Sequence, residues 1–150
     1  MRPLETSGLR ILIVEDDELV LTLVRTRLDL AGYQTFIARD GFQALEAIPQ
    51  VRPSAMLLDI NMPRLDGFQV LEKLGASGAL ARLPTMVLTA RNRTDDITRA
   101  IGLGAKDYLS KPFDSEHLLQ RVARLTRRSV RVQPAQAPAP PPPGARTFEL

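Results

Sequence analysis

The chain has 150 residues, enough for one domain with a core of its own, and its 44% hydrophobic and 25% charged residues sit near the globular average. No cysteine and a single histidine exclude a disulfide scaffold, a thiol nucleophile, a cysteine zinc site and a histidine-cluster metal site. The net charge of +3 is modest and only 5% of residues are aromatic, so the basic and aromatic stripe of a nucleic-acid module is missing. Residues 10–15 form a short apolar run ending in acids, which reads as a buried strand of a parallel sheet with function at its C-terminal end. Asp17 can cap the next segment, where Val20, Leu23, Val24, Leu28 and Ala31 recur at helical spacing before Gly32. Residues 33–38 read as a second strand. A helix opens at Asp40-Gly41 and runs through Ile48, with Pro49 and Pro53 expected to end it.

Residues 55–59 are a third strand closing on Asp59, and Gly67–Leu74 a third helix followed by a Gly/Ser/Ala loop. Residues 84–89 are a fourth strand, 95–103 a short helix, 106–109 a fifth strand and 114–128 a last helix carrying Leu118, Val122 and Leu125 on one face. Strand and helix thus alternate in a doubly wound parallel α/β sheet. Three segments follow: an N-terminal extension over 1–8, a domain over 9–128 and a proline-rich linker or tail over 129–150. Half of the 12 prolines fall in residues 134–143, a composition expected to be extended and polyproline-like. Arg124, Arg127, Arg128 and Arg131 read as a solvated helix end, so direct nucleic-acid binding by residues 1–150 is not expected. No apolar run approaches the ~20 residues of a membrane span, and residues 1–8 lack the apolar core of a signal peptide; a cytoplasmic protein is expected.

Ligands of such sheets sit outside the carboxyl ends of the strands. That rule alone gathers Glu15, Asp16, Asp17, Asp59, Thr89 and Lys111 in one crevice. Clustered carboxylates repel, and a hard divalent cation such as Mg²⁺ removes the penalty with oxygen ligands. Asp16 and Asp59 suit direct ligation, with Glu15 acting through water. Helix capping explains Asp16 and Asp17 equally well when they are taken alone. Asp59 can act as a nucleophile toward phosphorus, with Lys111 as a positive centre and Thr89 as a hydroxyl donor to a phosphoryl oxygen. Taken singly, Thr89 is an ordinary strand-end residue and Lys111 a turn lysine; the conjunction carries the reading.

The blocks Ile-Leu-Ile-Val-Glu15-Asp16-Asp17, Leu-Leu-Asp59-Ile-Asn-Met-Pro63-Arg-Leu-Asp-Gly67, Thr89-Ala90-Arg91 and Gly104-Ala-Lys-Asp-Tyr108-Leu-Ser-Lys111-Pro112-Phe113 resemble the receiver domain of two-component response regulators. The resemblance covers about residues 9–128. It implies a flavodoxin-like (βα)5 fold with strand order 2-1-3-4-5. It implies that Asp59 accepts a phosphoryl group from the phosphohistidine of a sensor histidine kinase or histidine phosphotransfer protein. Glu15, Asp16, Asp59 and the carbonyl of Asn61 would hold Mg²⁺, and Thr89 and Lys111 would contact the phosphoryl group. Thr89 and Tyr108 would form the switch, and Asn61 and Arg91 would tune dephosphorylation. A phosphoacceptor of this kind is a signalling switch with at most slow self-dephosphorylation, not an enzyme. Tyr108 is otherwise a strand aromatic packed on the last helix.

The segment near Lys111–Arg128 looks similar to receivers of the OmpR/PhoB type, which carry a winged-helix DNA-binding domain. Their dimer face is matched in part. Asp107 and Arg121 suit one charged cross-pair, while Ile97, Lys106 and His117 depart from the usual charges. Ile97, Ile101 and Leu119 would make a more apolar face for a homodimer or a downstream effector. The chain therefore reads as a stand-alone receiver or a truncated regulator, or alternatively as the receiver fragment of a winged-helix transcription factor. Two other readings need features of their own. A flavodoxin-like nucleotide binder needs a Gly-rich loop after the first strand, where three acids stand instead. A Mg²⁺-dependent aspartyl phosphatase needs a general acid where Asn61 stands.

Overall fold

The computed structural model describes residues 8–90 and 93–136, with side chains as far as 127. The strands are β1 (Arg10–Val14), β2 (Gln34–Ala38), β3 (Ala55–Asp59), β4 (Thr85–Thr89) and β5 (Asp107–Ser110). Between and after them run α1 (Glu18–Leu30), α2 (Gly41–Val51), α3 (Gly67–Ser77), α4 (Thr94–Gly102) and α5 (Ser115–Gln136). All five strands are parallel in the order β2-β1-β3-β4-β5, as the receiver resemblance implies.

The strands are apolar on both faces because both faces are covered. Side chains still alternate. Leu12, Val14, Met56, Leu58 and Val87 join α2 and α3 residues such as Ala44, Phe68, Val70 and Leu74. Ile11, Ile13, Leu57, Met86 and Leu88 join Leu21, Val24 and Leu28 of α1 and Leu118, Val122 and Leu125 of α5. The register brings strand ends level: Val14 pairs with Leu58, Asp59 with Leu88, and Thr89 with Ser110. The residues that follow these positions therefore emerge along one edge.

Helix starts follow local capping. Asp17 accepts from the N–H groups of Leu19 and Val20, Asp40 from that of Gln43, and Asp66 forms a reciprocal capping box with Gln69. Helix ends depart from the sequence expectation. Pro49 does not end α2, which continues to Val51 with the proline inside it. Arg52 then turns into the left-handed region at φ 53° and donates its N–H to Ile48 O. From β1, Arg10 Nε donates to Val51 O at 2.9 Å and its Nη2 to Arg52 O at 2.9 Å. A side chain distant in sequence thus takes the carbonyls that a helix end leaves open. Helix α3 runs past Leu74 to Ser77, and the expected loop after it contains a 3₁₀ turn over Ala79–Arg82. Helix α5 runs past Arg128 to Gln136, so the ordered pattern does not stop at Ser129; residues 129–133 hold no helix breaker. The rest of the expected proline-rich tail, 137–150, and most of the expected N-terminal extension lie outside the described residues.

Candidate phosphoacceptor site

Three carboxylates meet beyond the ends of β1 and β3. Glu15, Asp16 and Asp59 each offer one oxygen, and these lie within 4.8 Å of one another. Glu15 and Asp59 are buried, while Asp16 is exposed. The capping alternative divides cleanly: Asp17 is the N-cap of α1, and Asp16 belongs with the acidic cluster.

Glu15 is fixed from two sides. Its Oε2 accepts from the N–H of Asp17 at 3.1 Å, and Lys111 Nζ lies 2.8 Å from its Oε1. That second contact has ion-pair distance without hydrogen-bond alignment, so buried Oε1 keeps acceptor capacity. Lys111 Nζ also lies 3.4 Å from Asp59 Oδ1, which accepts from the N–H of Asn61 at 3.2 Å. Burial works to lower the pKa of Lys111, but the Glu15 and Asp59 carboxylates outweigh it and hold the ammonium above its ordinary value. Burial first, and the neighbouring Glu15 charge second, push Asp59 up to about 7. One lysine does not satisfy two buried carboxylates. This is the donor set and the surplus of negative charge that a hard divalent cation neutralises, so the residues present fit Mg²⁺.

Thr89 is buried at the end of β4, and its carbonyl accepts from the N–H of Lys111 at 2.8 Å. The Lys111–Pro112 peptide is cis. Behind Asp59, α3 makes its closest approach at Gly67. A Cβ there would stand 2.6 Å from Asp59 O and 2.8 Å from Ile60 Cα, so this helix start requires glycine. The Gly67 N–H donates to Ile60 O at 3.0 Å.

The crevice thus gathers Glu15, Asp16, Asp59 and Lys111, with Thr89 alongside on β4. Asn61 is exposed beside it, and Arg91 lies outside the described residues. Tyr108 is half-buried and packs on the Val87 and Ala100 side of the sheet, not on α5. Its position in β5 points it to the opposite face from Leu109. On the same strand, Asp107 is paired within the chain, with Arg121 at 2.9 Å and Arg124 at 2.9 Å. Ile101 is 44% exposed, and Ile97 and Leu119 are half-buried. Leu119 leans on the α1 layer, which leaves Ile97 and Ile101 outside both core clusters.

Sequence reasoning missed the ion pairs on the rim. Arg64, at φ 68° in the loop after Asp59, reaches Asp40 at 2.5 Å, and Arg39 pairs with Glu18. Neither pair leaves a spacing signal, because each joins residues from different elements.

Residues 11–123 match the response regulator receiver domain family. The chain belongs to that family. It is 45% identical over 122 residues to response regulator MprA of Mycobacterium ulcerans (strain Agy99), covering 81% of this chain and 52% of that protein. Response regulator MprA of Mycobacterium leprae (strain TN) is 44% identical over 121 residues, with the same coverage. The receiver therefore spans about half the length of these relatives. Among solved structures, the receiver domain of Francisella response regulator 1452 superposes with TM-score 0.76 at 30% identity, covering 81% of this chain and 99% of that one. The Vibrio cholerae chemotaxis protein CheY4 gives TM-score 0.74 at 28% identity, covering 78% and 98%. The chain is thus a receiver domain of a two-component response regulator. Among the described residues, no helix is long and apolar enough to cross a membrane.

Proposed function

We propose that Asp59 is the phosphoacceptor of this receiver and that its donor is the phosphohistidine of a sensor histidine kinase or a histidine phosphotransfer protein. The observation that carries this reading is the position of Asp59. It is buried, it sits 3.4 Å from a lysine ammonium, and it shares an acidic cluster with Glu15 and Asp16. A carboxylate oxygen of Asp59 attacks phosphorus, and the bond from phosphorus to the imidazole nitrogen breaks. The electron pair stays on that nitrogen, and an acyl phosphate forms on Asp59. Glu15, Asp16, Asp59 and the carbonyl of Asn61 would hold Mg²⁺, which when bound supplies positive charge against the phosphoryl oxygens. Lys111 leaves its carboxylate partners for the phosphoryl group, and the Thr89 hydroxyl donates to it. Asn61, exposed beside the crevice, and Arg91, two residues after Thr89 in sequence, tune the lifetime.

The same geometry supports a switch. Thr89 and Tyr108 lie on adjacent strands, and Val87 pairs with Tyr108 in register. Movement of Thr89 toward the phosphoryl group opens space beside a half-buried ring. The change is read on α4, β5 and α5, where Ile97, Ile101, Asp107, Leu119 and Arg121 form the face offered to a second copy or a downstream effector. The test is intact mass after treatment with Mg²⁺ and a small phosphodonor. One added phosphate on the wild type and none on Asp59→Ala is expected; equal labelling of both would overturn the assignment.

A second reading rests on the relatives' length, of which the chain spans about half: the receiver is one half of a longer regulator, of the winged-helix DNA-binding kind whose receivers the Lys111–Arg128 segment resembles. Reading the gene past the codon for Leu150 distinguishes this from a receiver that acts alone.

A further inference from the structure

Helix α4 is a mostly exposed helix among the described residues. It buries only Ala100 among its residues, and Arg93 gives it no side-chain cap. Beside the packing of Ala100 in the α3 layer, one side chain reaches across to α3. The guanidinium carbon of Arg99 lies 4.0 Å from the centroid of the Phe68 ring, and Arg99 Nη2 lies 3.7 Å from Glu72 Oε2. Phe68 is buried, at 2% exposure, so its ring is a fixed platform for that cation. It directly follows Gly67, which rests on the Asp59 and Ile60 backbone. The contacts therefore run from α4 through Arg99, Phe68 and Gly67 to the peptide of Asp59. In this same arrangement Lys111 is engaged by the Glu15 and Asp59 carboxylates.

We propose that Arg99 is a positioning residue: by clasping Phe68 it pins α4 in the arrangement in which Lys111 is held by Glu15 and Asp59, and so biases the receiver against its phosphoryl-bound form. This deepens, and rests on, the phosphoacceptor reading above. The clasp has differential value only if α4 shifts when Lys111 changes partner, because a contact kept in both states biases neither. Glu72 contributes less than Phe68, since both charged groups of that pair are about half exposed and water screens them.

The test compares the wild type with Arg99→Gln, Arg99→Lys, Glu72→Gln and Phe68→Leu. Affinity for beryllofluoride with Mg²⁺, a phosphoryl mimic, is followed by amide NMR shifts, and α4 opening by hydrogen exchange over 94–102. A cation–π contact at a partly exposed site corresponds to about two- to fivefold in an equilibrium constant. Arg99→Gln is therefore expected to bind the mimic about two- to fivefold more tightly and to exchange faster in α4 but not in α1. Arg99→Lys should lie between Arg99→Gln and the wild type, and Glu72→Gln near the wild type. Arg99 is 53% exposed, so its variants keep the fold even if Phe68→Leu does not. Unchanged or weaker mimic binding by Arg99→Gln, with normal binding by the wild type, would overturn the clasp alone. Failure of the wild type to bind the mimic or to take phosphate on Asp59 would overturn the phosphoacceptor reading and the clasp with it.

Discussion

Replacing Asp59 by Asn should stabilise the metal-free protein, by an amount that grows as pH rises from about 4 to about 7 and then levels off. Asp59 titrates at about 7 in the fold against 3.8 as its ordinary value. Between those values the folded chain binds a proton that the unfolded chain has lost. Stability therefore falls as pH rises through that window, the reverse of an ordinary ion-paired carboxylate. At about 1.4 kcal/mol per pH unit the full penalty is of order 4 kcal/mol at pH 8. Glu15 shares the negative charge and Lys111 offsets part of it, so an expected gain for Asp59→Asn is about 2–4 kcal/mol. At pH 4 the wild-type Asp59 is mostly protonated, and the two proteins should differ little. Urea denaturation in the presence of a chelator at pH 4, 6 and 8 reads this out, with the slope checked for constancy. Adding Mg²⁺ at pH 8 should raise the wild-type midpoint more than that of Asp59→Asn. An identical stability difference at pH 4 and pH 8 would refute burial and Glu15 repulsion as the source of the penalty.

The adjacent acids separate by assay. Asp17→Ala should cost about 0.5–2 kcal/mol, the value of an N-cap, while still taking phosphate on Asp59. Asp16→Ala should leave metal-free stability nearly unchanged and lower the Mg²⁺ dependence of labelling. Thermal or urea unfolding and intact mass decide both. Arg10→Met removes the guanidinium that closes α2 and should cost about 1–3 kcal/mol in urea unfolding, the range for charge-assisted hydrogen bonds, with normal labelling.

Local signals account for what the sequence made legible. The three central strands are apolar runs ending at Val14, Asp59 and Thr89, and their parallel order brings Glu15, Asp59 and Thr89 to one edge, as the carboxyl-end rule expects. Asp17 and Asp40 announce helix starts because the cap and its partner lie within three residues; Asp66 caps α3 in the same way, though it was not among the residues expected from sequence to open a helix. Helix ends were less legible. Pro49 reads as a stop, but Arg10 supplies closure for α2 from more than 40 residues away in sequence. The face taken by Tyr108 was not legible, because alternation places it opposite Leu109 but does not say which helices cover which face. The pairing of Lys111 with Glu15 was likewise hidden, because it rests on the β1 and β5 ends converging across two intervening strands. Arg99 on Phe68 has no sequence signature at all: it is a meeting of two helix surfaces.

The two-sided core also gives the molecule a built-in optical label. The chain has no tryptophan and two tyrosines. Tyr33 packs in the layer of α1 and α5, and Tyr108 in the layer of α2 and α3. Ultraviolet emission therefore sums one chromophore from each side of the sheet. A Tyr33→Phe protein would shine from Tyr108 alone, so that its fluorescence follows the β5 ring without a dye, a fusion or a change near the acidic crevice.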